Sequence, residues 1–594
     1  MKKHNYNFGI IGNCSYMSYV NDSASIVWQC WPNFDSSFIF GNLISEKKGG
    51  VFSITPASEY TSKQYYLQNT NVLVTEFDTK EGRFRVIDFA PRFELYERYH
   101  KPTQLFRKIE LIEGNPRLKI KCQPVADYGE VKANATQGSN SINFQNLDAD
   151  VRLTTNVAKT HILNETEFAL TEDYYLVLSY NAPLEAPLKR TFEEFLERTI
   201  DYWRRWVRRS SIPGIYQEEV IRSALLLKLH QYEDTGAIIA AGTTSLPESP
   251  GEERNWDYRY CWIRDSYFTL NALTNLGHFT EAERYSHWIQ NIVENAKDRF
   301  QPVYRIDGQA KIEEKIIPLE GYQNNSPVRI GNEAYLQRQN DVYGQMILSL
   351  LPLYTDLRTF DNHAKPSEKL IIKILDMILK YMDEPDAGIW EFRGKMQQHA
   401  ESFLFHWAGA MAAKKIGHLN KNTEMIEKAQ KCIQLAKDNI EKCYDENIQA
   451  YGMSQENKKL NASEFLLITM HYLHGEADRE KAKKHIAALE KELKIGDDLI
   501  YRYRDLDDFG ETNSTFLICA FWYAEALVDI GETEKAKKVF NSLLTRSNHL
   551  GIFSEDIEPK TGSQWGNIAQ TYSHVGLINT AFKIWISEHK PLFY

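Results

Sequence analysis

The chain has 594 residues, of which 43% are hydrophobic and 25% are charged, as expected for a soluble globular protein. Its 70 basic and 80 acidic residues give a formal net charge of −10, which argues against a nucleic-acid or anionic-membrane partner and suits a neutral substrate. No stretch reaches the ~20 apolar residues that a membrane span needs.

The seven cysteines are scattered and form no C-x-x-C pair, which argues against a disulfide framework or a zinc site and favours a reducing compartment. The N-terminus carries two lysines without a long apolar run behind them, so it does not read as a signal peptide. We therefore expect a cytoplasmic protein.

Residues 1–190 have the pattern of a β-domain. Short apolar or alternating runs recur between Asn, Gly, Asp and Pro residues, and none of them has helical periodicity. They lie at 26–31, 51–54, 72–77, 83–89, 105–112 and 174–180. Many short strands with regular turns predict an antiparallel β-sandwich.

The pattern changes at Thr191. A hydroxyl at Thr191 and a carboxylate at Glu194 form a predicted capping box, and apolar residues then follow helical spacing. A turn-forming run with Pro213 ends the segment. We predict a linker helix within residues 191–215.

Residues 216–594 are predicted to be all helical. Twelve candidate helices in alternating pairs suit an (α/α)6 barrel, with six inner helices ringed by six outer ones. They lie near 217–232, 262–277, 279–296, 336–356, 367–383, 400–417, 421–444, 462–475, 478–492, 513–531, 533–546 and 566–586. Two long loops, about 297–335 and 493–512, are candidates for functional segments.

One stretch stands out by composition. The ten residues from Trp256 to Asp265 hold two tryptophans, two tyrosines, two arginines and two aspartates. Flat rings stack on sugar faces, and arginine and aspartate fix hydroxyls by charge-assisted hydrogen bonds. A buried ion-pair cluster uses the same residues, so composition alone leaves both interpretations open.

The sequence here resembles a known family. The run from Thr243 to Glu248, followed by the run from Arg254 to Asp265, resembles the signature of glycoside hydrolase family 15, which contains glucoamylases, glucodextranases and bacterial trehalases. The segment Trp31–Ser36 resembles an N-terminal loop of that family, with Asn33 where the family has arginine. The resemblance implies a sandwich, a linker and an (α/α)6 barrel over nearly the whole chain.

Inverting hydrolysis of a glycoside needs one carboxyl group as general acid and another as general base. Glu391 lies between Trp390 and Phe392, whose rings would remove water and keep it protonated, as an acid requires. Without the resemblance, the local sequence favours an ordinary loop carboxylate at Glu391 that pairs with Arg393. The resemblance favours the acid role, because the family carries its acid in the same G-I-W-E context.

Glu555 is the matching candidate for the base. It precedes Asp556, whose charge would hinder loss of a second proton, so that one of the two carries a proton part of the time. By composition alone it is a capping or solvated acid. The family places its base before a Gly-Asn pair and a helix with Ser-His, which this chain supplies up to His574. We interpret His574 itself as structural.

The resemblance also implies a sugar-binding group. Arg264 and Asp265 match the pair that holds the released sugar, although Asp265 alone could be a first-turn helix carboxylate. Tyr258 and Trp262 would line the same subsite, with the Tyr258 hydroxyl near the ring oxygen. Trp390, beside the acid, completes the group.

Several further positions matter for specificity. Arg329 and Asp341 lie in stretches that resemble the family, and either could contact sugar or tie its loop down. Many bacterial relatives have Ser-Lys about a dozen residues after the acid, where this chain has Ser402 and Phe403. Any substrate contact from that lysine is therefore missing.

Four functions remain. The leading hypothesis is an inverting, exo-acting hydrolase that releases β-glucose from maltooligosaccharides, as a glucoamylase does. An α,α-trehalase of the same family is the first alternative, and an inverting phosphorylase and a non-catalytic sugar-binding protein follow. No phosphate loop or metal-ligand spacing stands out, so we predict an oligosaccharide substrate, no cofactor and no metal.

Overall fold

The computed structural model describes residues 3–184, 186–296, 298–357 and 365–588. An antiparallel β-sandwich precedes a helical barrel, as the sequence predicts. The outermost ends of the two predicted domains, residues 1–2 and 589–594, lie outside the described residues, as does Lys297, where the first long loop was predicted to start.

The sandwich contains two antiparallel sheets. One has the order β1-β2-β3-β5-β12-β18, with β4 paired to β3, and the other has the order β15-β16-β17-β19-β11-β8-β7-β6. The strands are Phe8–Gly12 (β1), Met17–Asn21 (β2), Ser25–Cys30 (β3), Phe38–Phe40 (β4), Val51–Pro56 (β5), Tyr60–Tyr66 (β6), Leu73–Thr79 (β7), Gly82–Phe89 (β8), Phe93–Leu95 (β9), Arg98–His100 (β10), Gln104–Gly114 (β11), Arg117–Gln123 (β12), Val125–Ala126 (β13), Val131–Lys132 (β14), Asn134–Gln137 (β15), Ser141–Gln145 (β16), Val151–Thr155 (β17), Phe168–Ala169 (β18) and Tyr174–Tyr180 (β19).

The burial of the first sheet follows from what covers each face. In β5 and β12, buried residues alternate with partly exposed ones, and Ile54 pairs with Ile120 inside the sandwich. Strand β3 is buried at every position. Ile26 belongs to the sandwich core, whereas Trp28 belongs to the core of the barrel and donates to the Gly242 carbonyl at 2.7 Å. The barrel therefore covers the outer face of this sheet.

Two helices accompany the sandwich. A five-residue helix, Lys159–Leu163 (α1), was not predicted, because five residues are too few to show a 3.6-residue period. The linker helix, Leu188–Arg208 (α2), begins after Pro187. The predicted capping box at Thr191 is therefore wrong: Thr191 lies one turn inside the helix, and Glu194 pairs with Arg198 at 2.8 Å.

Twelve helices in the described part of the C-terminal region form the (α/α)6 barrel. The inner ring is α4, α6, α8, α10, α12 and α14, each in contact with the next and the last with the first, and the other six pack outside it. The helices are Gln217–His230 (α3), Ile263–Asn275 (α4), Phe279–Asn295 (α5), Asp341–Thr355 (α6), Glu368–Tyr381 (α7), Ala400–Asn420 (α8), Thr423–Glu441 (α9), Leu466–Thr469 (α10, preceded by a 3-10 turn at Ala462–Phe465), Arg479–Leu493 (α11), Leu517–Asp529 (α12), Thr533–Leu544 (α13) and Thr571–Ser587 (α14).

The predicted helices differ from the observed ones mainly at their starts. The helix predicted from 566 starts at Thr571, because residues 563–568 pair as a strand. No helix in the described ranges is long and apolar enough to cross a membrane. Short strands join the helices: Cys261–Trp262 (β20), Val303–Tyr304 (β21), Lys315–Ile317 (β22), Val328–Ile330 (β23), Tyr444–Asp445 (β24), Ala450–Tyr451 (β25), Lys494–Ile495 (β26), Leu499–Ile500 (β27), Thr515–Phe516 (β28), Ser554–Glu558 (β29) and Ser563–Ile568 (β30).

Candidate active site

A cavity of about 100 Å³ lies at the end of the barrel where the inner helices begin. Helix N-termini carry partial positive charge, which favours carboxylates at this end. Seven of the eight sequence-predicted residues line the cavity: Tyr258, Trp262, Arg264, Asp265, Trp390, Glu391 and Glu555. The loops and strands of the barrel thus bring together side chains from three distant parts of the chain.

Glu391 is held by one oxygen. Its Oε1 accepts hydrogen bonds from Trp262 Nε1 at 2.7 Å, Arg264 Nη2 at 3.1 Å and Gln339 Nε2 at 3.2 Å. No hydrogen bond to Oε2 from a described residue is found. Trp390 and Phe392 line the same cavity as Glu391, but its side chain is 26% exposed, so the expected enclosure is incomplete.

A tight turn places Glu391. Gly388 and Glu391 both have positive φ, 66° and 60°, and the Glu391 amide donates to the Gly388 carbonyl at 3.1 Å. A Cβ at position 388 would lie 2.8 Å from His399 Nε2 and 2.9 Å from Glu401 Oε1, so glycine is required there. Left-handed backbone at a non-glycine residue is strained, and such strain clusters at functional sites.

Glu555 is placed by an irregular strand. It lies in β29 where the register with β30 shifts, and such bulges redirect side chains next to active sites. Its Oε1 accepts from the Tyr258 hydroxyl at 2.7 Å, and its buried Oε2 has no hydrogen-bond partner among the described residues. Gly566, with φ of 77°, lies so close that a Cβ would be 2.8 Å from Oε2.

Three carboxylates meet at the wall of the cavity, and two of them, Glu248 and Glu555, line it. One oxygen each of Glu248, Glu555 and Asp556 lie within 4.8 Å of one another, and all three residues are buried. Arg502 Nη2 donates to Glu248 Oε2 at 2.9 Å and to Asp556 Oδ1 at 3.2 Å. Burial raises the pKa of Glu555 well above its usual value, and the charges of Asp556 and Glu248 raise it further. Among the described residues, these three carboxylates form the only group of acidic oxygens placed closely enough to hold a metal ion. Arg502 already neutralises part of their negative charge.

Arg264 and Asp265 lie in the first turn of α4, and both face the cavity. Arg264 also donates to Gln339 Oε1 at 2.6 Å, so its guanidinium binds both Glu391 and a second residue that holds Glu391. Burial raises the pKa of Asp265 to about 7, and the neighbouring Arg264 partly offsets this.

The stretch from Trp256 to Asp265 contains both a buried ion pair and residues that line the cavity, so each interpretation of its composition holds for some of its residues. Asp257 and Arg259 form a fully buried ion pair at 2.7 Å, and Arg259 Nη1 donates to the Ser36 carbonyl at 2.6 Å. That pair is structural and ties the stretch to the sandwich. The alternating neighbours Tyr258 and Trp262 face the cavity instead.

Arg329 is the predicted residue that does not line the cavity. Its guanidinium donates to the Glu253 carbonyl at 2.6 Å and stacks over Trp256 at 4.7 Å. Its carbonyl accepts from the hydroxyls of Thr244 and Ser245 at 2.7 and 2.9 Å. These contacts indicate that Arg329 ties its loop down, which is the second of the two roles that the sequence left open.

Residues 507–510 bridge the loops around the cavity. Asp507 accepts from Arg254 at 2.7 Å, Asp508 accepts from the Arg393 amide at 2.6 Å, and Phe509 packs edge to face on Trp256 at 5.2 Å. Asp507, Asp508 and Phe509 line the cavity. They belong to the second long loop that the sequence marks as a functional candidate, and they narrow the opening.

Sequence reasoning missed several residues of the site. Glu248 lines the cavity and ends the first run of the family signature. Gln339 bonds to Glu391 without lining the cavity, and it lies two positions before Asp341 in the family-like stretch, so both residues had a signal. Arg502 lies in the flagged loop 493–512, but nothing distinguished it from other surface arginines. His574 is structural, as predicted: its two ring nitrogens contact Ser223 Oγ and the Phe553 amide.

Comparison with known proteins agrees with this architecture. Residues 214–582 match the glycosyl hydrolases family 15, and residues 7–172 match the trehalase-like N-terminal family. A trehalase of Thermoplasma volcanium is 32% identical over 97% of this chain and 93% of its own length. A trehalase of Mycolicibacterium smegmatis is 30% identical over 98% of this chain and 91% of its own.

Among solved structures, a bacterial glucoamylase complexed with acarbose has a TM-score of 0.68 at 16% identity, and the match covers 99% of this chain and 95% of that one. This likeness shows the shared two-domain fold. From the family match and the full-length relatives, the chain belongs to glycosyl hydrolases family 15 and is an O-glycosyl hydrolase.

Proposed function

We propose that this protein hydrolyses α,α-trehalose with inversion, with Glu391 as general acid and Glu555 as general base. One observation supports the mechanism: both carboxylates line the same cavity. Each accepts a hydrogen bond from one ring of a packed pair, Glu555 from Tyr258 and Glu391 from Trp262. The choice of trehalose rests on relatives named trehalase that match nearly the whole chain. It replaces maltooligosaccharides as the leading substrate.

The proposed reaction balances as follows. Glu391 Oε2 gives its proton to the bridging oxygen while the bond from that oxygen to the anomeric carbon breaks. A water attacks this carbon from the opposite face, and Glu555 takes the proton of the water. One β-glucose and one α-glucose leave. Glu555 Oε2 is suited to the water, because it is an acceptor without a donor among the described residues.

The narrowed mouth of the cavity supports a short substrate. Residues 507–510 lie at this opening, where Asp508 accepts from the Arg393 amide and Phe509 packs on Trp256. An extended glucan would have to displace this segment. Arg264 and Asp265 would bind the hydroxyls of the first glucose, and Trp262 and Trp390 would pack on its apolar surfaces.

The other hypotheses have less support. A phosphorylase would place a phosphate anion where Glu555, Asp556 and Glu248 crowd negative charge around one arginine. A non-catalytic sugar-binding protein has no use for two carboxylates that converge on one cavity. A glucoamylase-like activity remains the runner-up on the shared fold alone. A cytoplasmic location stays a prediction from the sequence.

The test is glucose release from trehalose, maltose, maltotriose, isomaltose and dextran, with product anomers read by early-time proton NMR. Inverting hydrolysis of trehalose gives α- and β-glucose in equal amounts at early times. Only α-glucose from trehalose would mean retention and would refute the assigned roles. Turnover of maltotriose without turnover of trehalose would replace the substrate and keep the mechanism.

A further inference from the structure

Glu248 is a buried carboxylate beside the candidate base, and no step of the proposed reaction uses it. Its Oε1 accepts from Trp256 Nε1 at 3.1 Å, and its Oε2 accepts from Arg502 Nη2 at 2.9 Å. Indole and guanidinium nitrogens donate but do not accept hydrogen bonds. Both oxygens of Glu248 therefore act as acceptors, and these bonds and the charge of Arg502 favour its ionised form against burial, which raises its pKa.

The charge around Glu248 is not balanced by direct partners. Arg502 contacts two of the three clustered carboxylates, Glu248 and Asp556. Glu555 Oε2 and Asp556 Oδ2 are buried and have no hydrogen-bond partner in the described parts of the chain. Like charges this close resist ionisation together. Protons held on Glu555 or Asp556 relieve the excess charge, so the ionised Glu248 favours the protonated form of its neighbours.

We propose that Glu248 is a positioning residue for the general base: its charge strengthens the proton affinity of Glu555, and its bond to Arg502 fixes the guanidinium behind the base. This inference rests on the proposed function. A base with higher proton affinity takes the proton of the attacking water more readily, and general-base catalysis is most efficient when that affinity matches the operating pH.

The surroundings of Glu555 make Glu248 the separable contribution. The charged and titratable groups that face Glu555 are Asp556, Glu248, Arg502, Tyr258 and Tyr6. Asp556 shares the strand of the base, and Tyr258 bonds directly to it. Glu248 comes from a separate segment and lines the cavity, but its described hydrogen bonds go to Trp256 and Arg502 and not to either catalytic candidate, so its charge can be removed by itself.

The experiment compares the pH dependence of kcat/KM on trehalose for the wild type and Glu248→Gln. We expect the acid limb of the variant to move to lower pH by about one unit or more, because a negative charge beside the base is lost. The maximal kcat should fall as well, since the base is weaker. Glu248→Asp, which keeps the charge, should restore the wild-type limb.

A matched control is Glu252→Gln. Glu252 lies four residues along the same segment and binds Arg254 at 2.7 Å, outside the carboxylate cluster. Its neutral variant should leave the pH profile unchanged. Glu248→Ser is a second neutral variant with the same expected shift, for use if the glutamine variant does not fold. Thermal melting checks that each variant is folded.

Three outcomes would overturn the proposal. A folded neutral variant with lower activity and an unmoved acid limb would make Glu248 purely structural. An equal shift in Glu252→Gln would mean a general surface-charge effect. Calorimetric binding of Mg²⁺ or Ca²⁺ that is lost in Glu248→Gln, with EDTA reproducing the shift, would mean that a cation rather than a proton balances the cluster.

Failure of the proposed function gives a different result. If the wild type hydrolyses no glucoside of the panel, the reaction assignment fails. The effect of Glu248 on Glu555 can then still be measured by infrared difference spectroscopy, with Glu555→Gln identifying the carboxyl band. A band that titrates at the same pH with and without Glu248 would refute the inference by itself.

Discussion

Tyr258 and Trp262 pack edge to face with ring centroids 5.4 Å apart, and each donates its polar hydrogen to a different carboxylate of the cavity. Tyr258 donates to Glu555, and Trp262 donates to Glu391. The two rings therefore couple the positions of the candidate base and acid, although these lie 164 residues apart in sequence (555 − 391). The same two side chains therefore line the cavity and donate hydrogen bonds to both carboxylates.

Removing one of these two hydrogens should slow catalysis while the rings stay packed. Tyr258→Phe loses a hydrogen bond to a carboxylate, a contribution of about 1.5–3 kcal/mol, and we expect kcat to fall by roughly 10- to 100-fold. Trp262→Phe should act similarly through Glu391. Steady-state kinetics on trehalose measures the effect. Tyr260→Phe is the control, because Tyr260 lies two positions from each of these residues and does not line the cavity, and an equal loss in it would refute a specific role.

The general acid has a direct test. Glu391→Gln keeps the size of the side chain but cannot give a proton to the bridging oxygen, so kcat should fall by ~10²–10⁴-fold. Binding of the substrate should persist, as measured by calorimetry with trehalose. Glu333→Gln is the matched control, because Glu333 lies near the same turn and pairs only with Arg393 at 3.0 Å in the described contacts. Full activity of Glu391→Gln would exclude this mechanism.

The segment at the cavity mouth should control substrate length. Phe509→Ala removes the ring that packs on Trp256 and should widen the opening. We expect the ratio of kcat/KM for maltotriose to that for trehalose to rise by about tenfold, which corresponds to ~1.4 kcal/mol of discrimination. Leu506→Ala is the control, since Leu506 is exposed in the same loop and does not line the cavity. An unchanged ratio in Phe509→Ala would mean that the segment does not select the substrate.

Much of the fold follows from local patterns in the sequence. The helices of the barrel were predicted because their apolar residues repeat every 3.6 positions, and each observed helix overlaps its predicted range. The turn at Gly388 and the strand at 563–568 were not, because both depend on pairing or packing partners and not on their own periodicity: His399 and Glu401 crowd the glycine, and β30 forms a hairpin with β29. Periodicity carries no information about such contacts.

The candidate site was predictable where chemistry and resemblance coincide. Glu391 and Glu555 were marked by motif context, and both face the cavity. Their environments were not predictable. The donors that hold Glu391 come from Trp262, Arg264 and Gln339, and no local pattern around Glu391 indicated them. Arg329 shows the same limit, because its side chain turns toward backbone carbonyls of its own loop region.

Stability should depend on pH through Glu525, which lies on α12 away from the cavity. Burial raises its pKa from 4.5 to about 7, and Lys583 at 3.6 Å only partly offsets this. Between these two values the folded state binds a proton that the unfolded state has lost. Its stability therefore falls as pH rises through this window, by up to about 3 kcal/mol from this group.

Glu525→Gln removes this titration, so the melting temperature of the variant relative to the wild type should rise as pH increases from 5 to 8. The neutral side chain keeps the volume of glutamate, and Lys583 retains Asp529 at 2.6 Å. Calorimetric melts at several pH values measure the difference. Glu534→Gln is the control, because its side chain is 84% exposed and should show no such trend. A difference between Glu525→Gln and the wild type that is constant with pH would mean that Glu525 is ionised in the folded protein throughout this range.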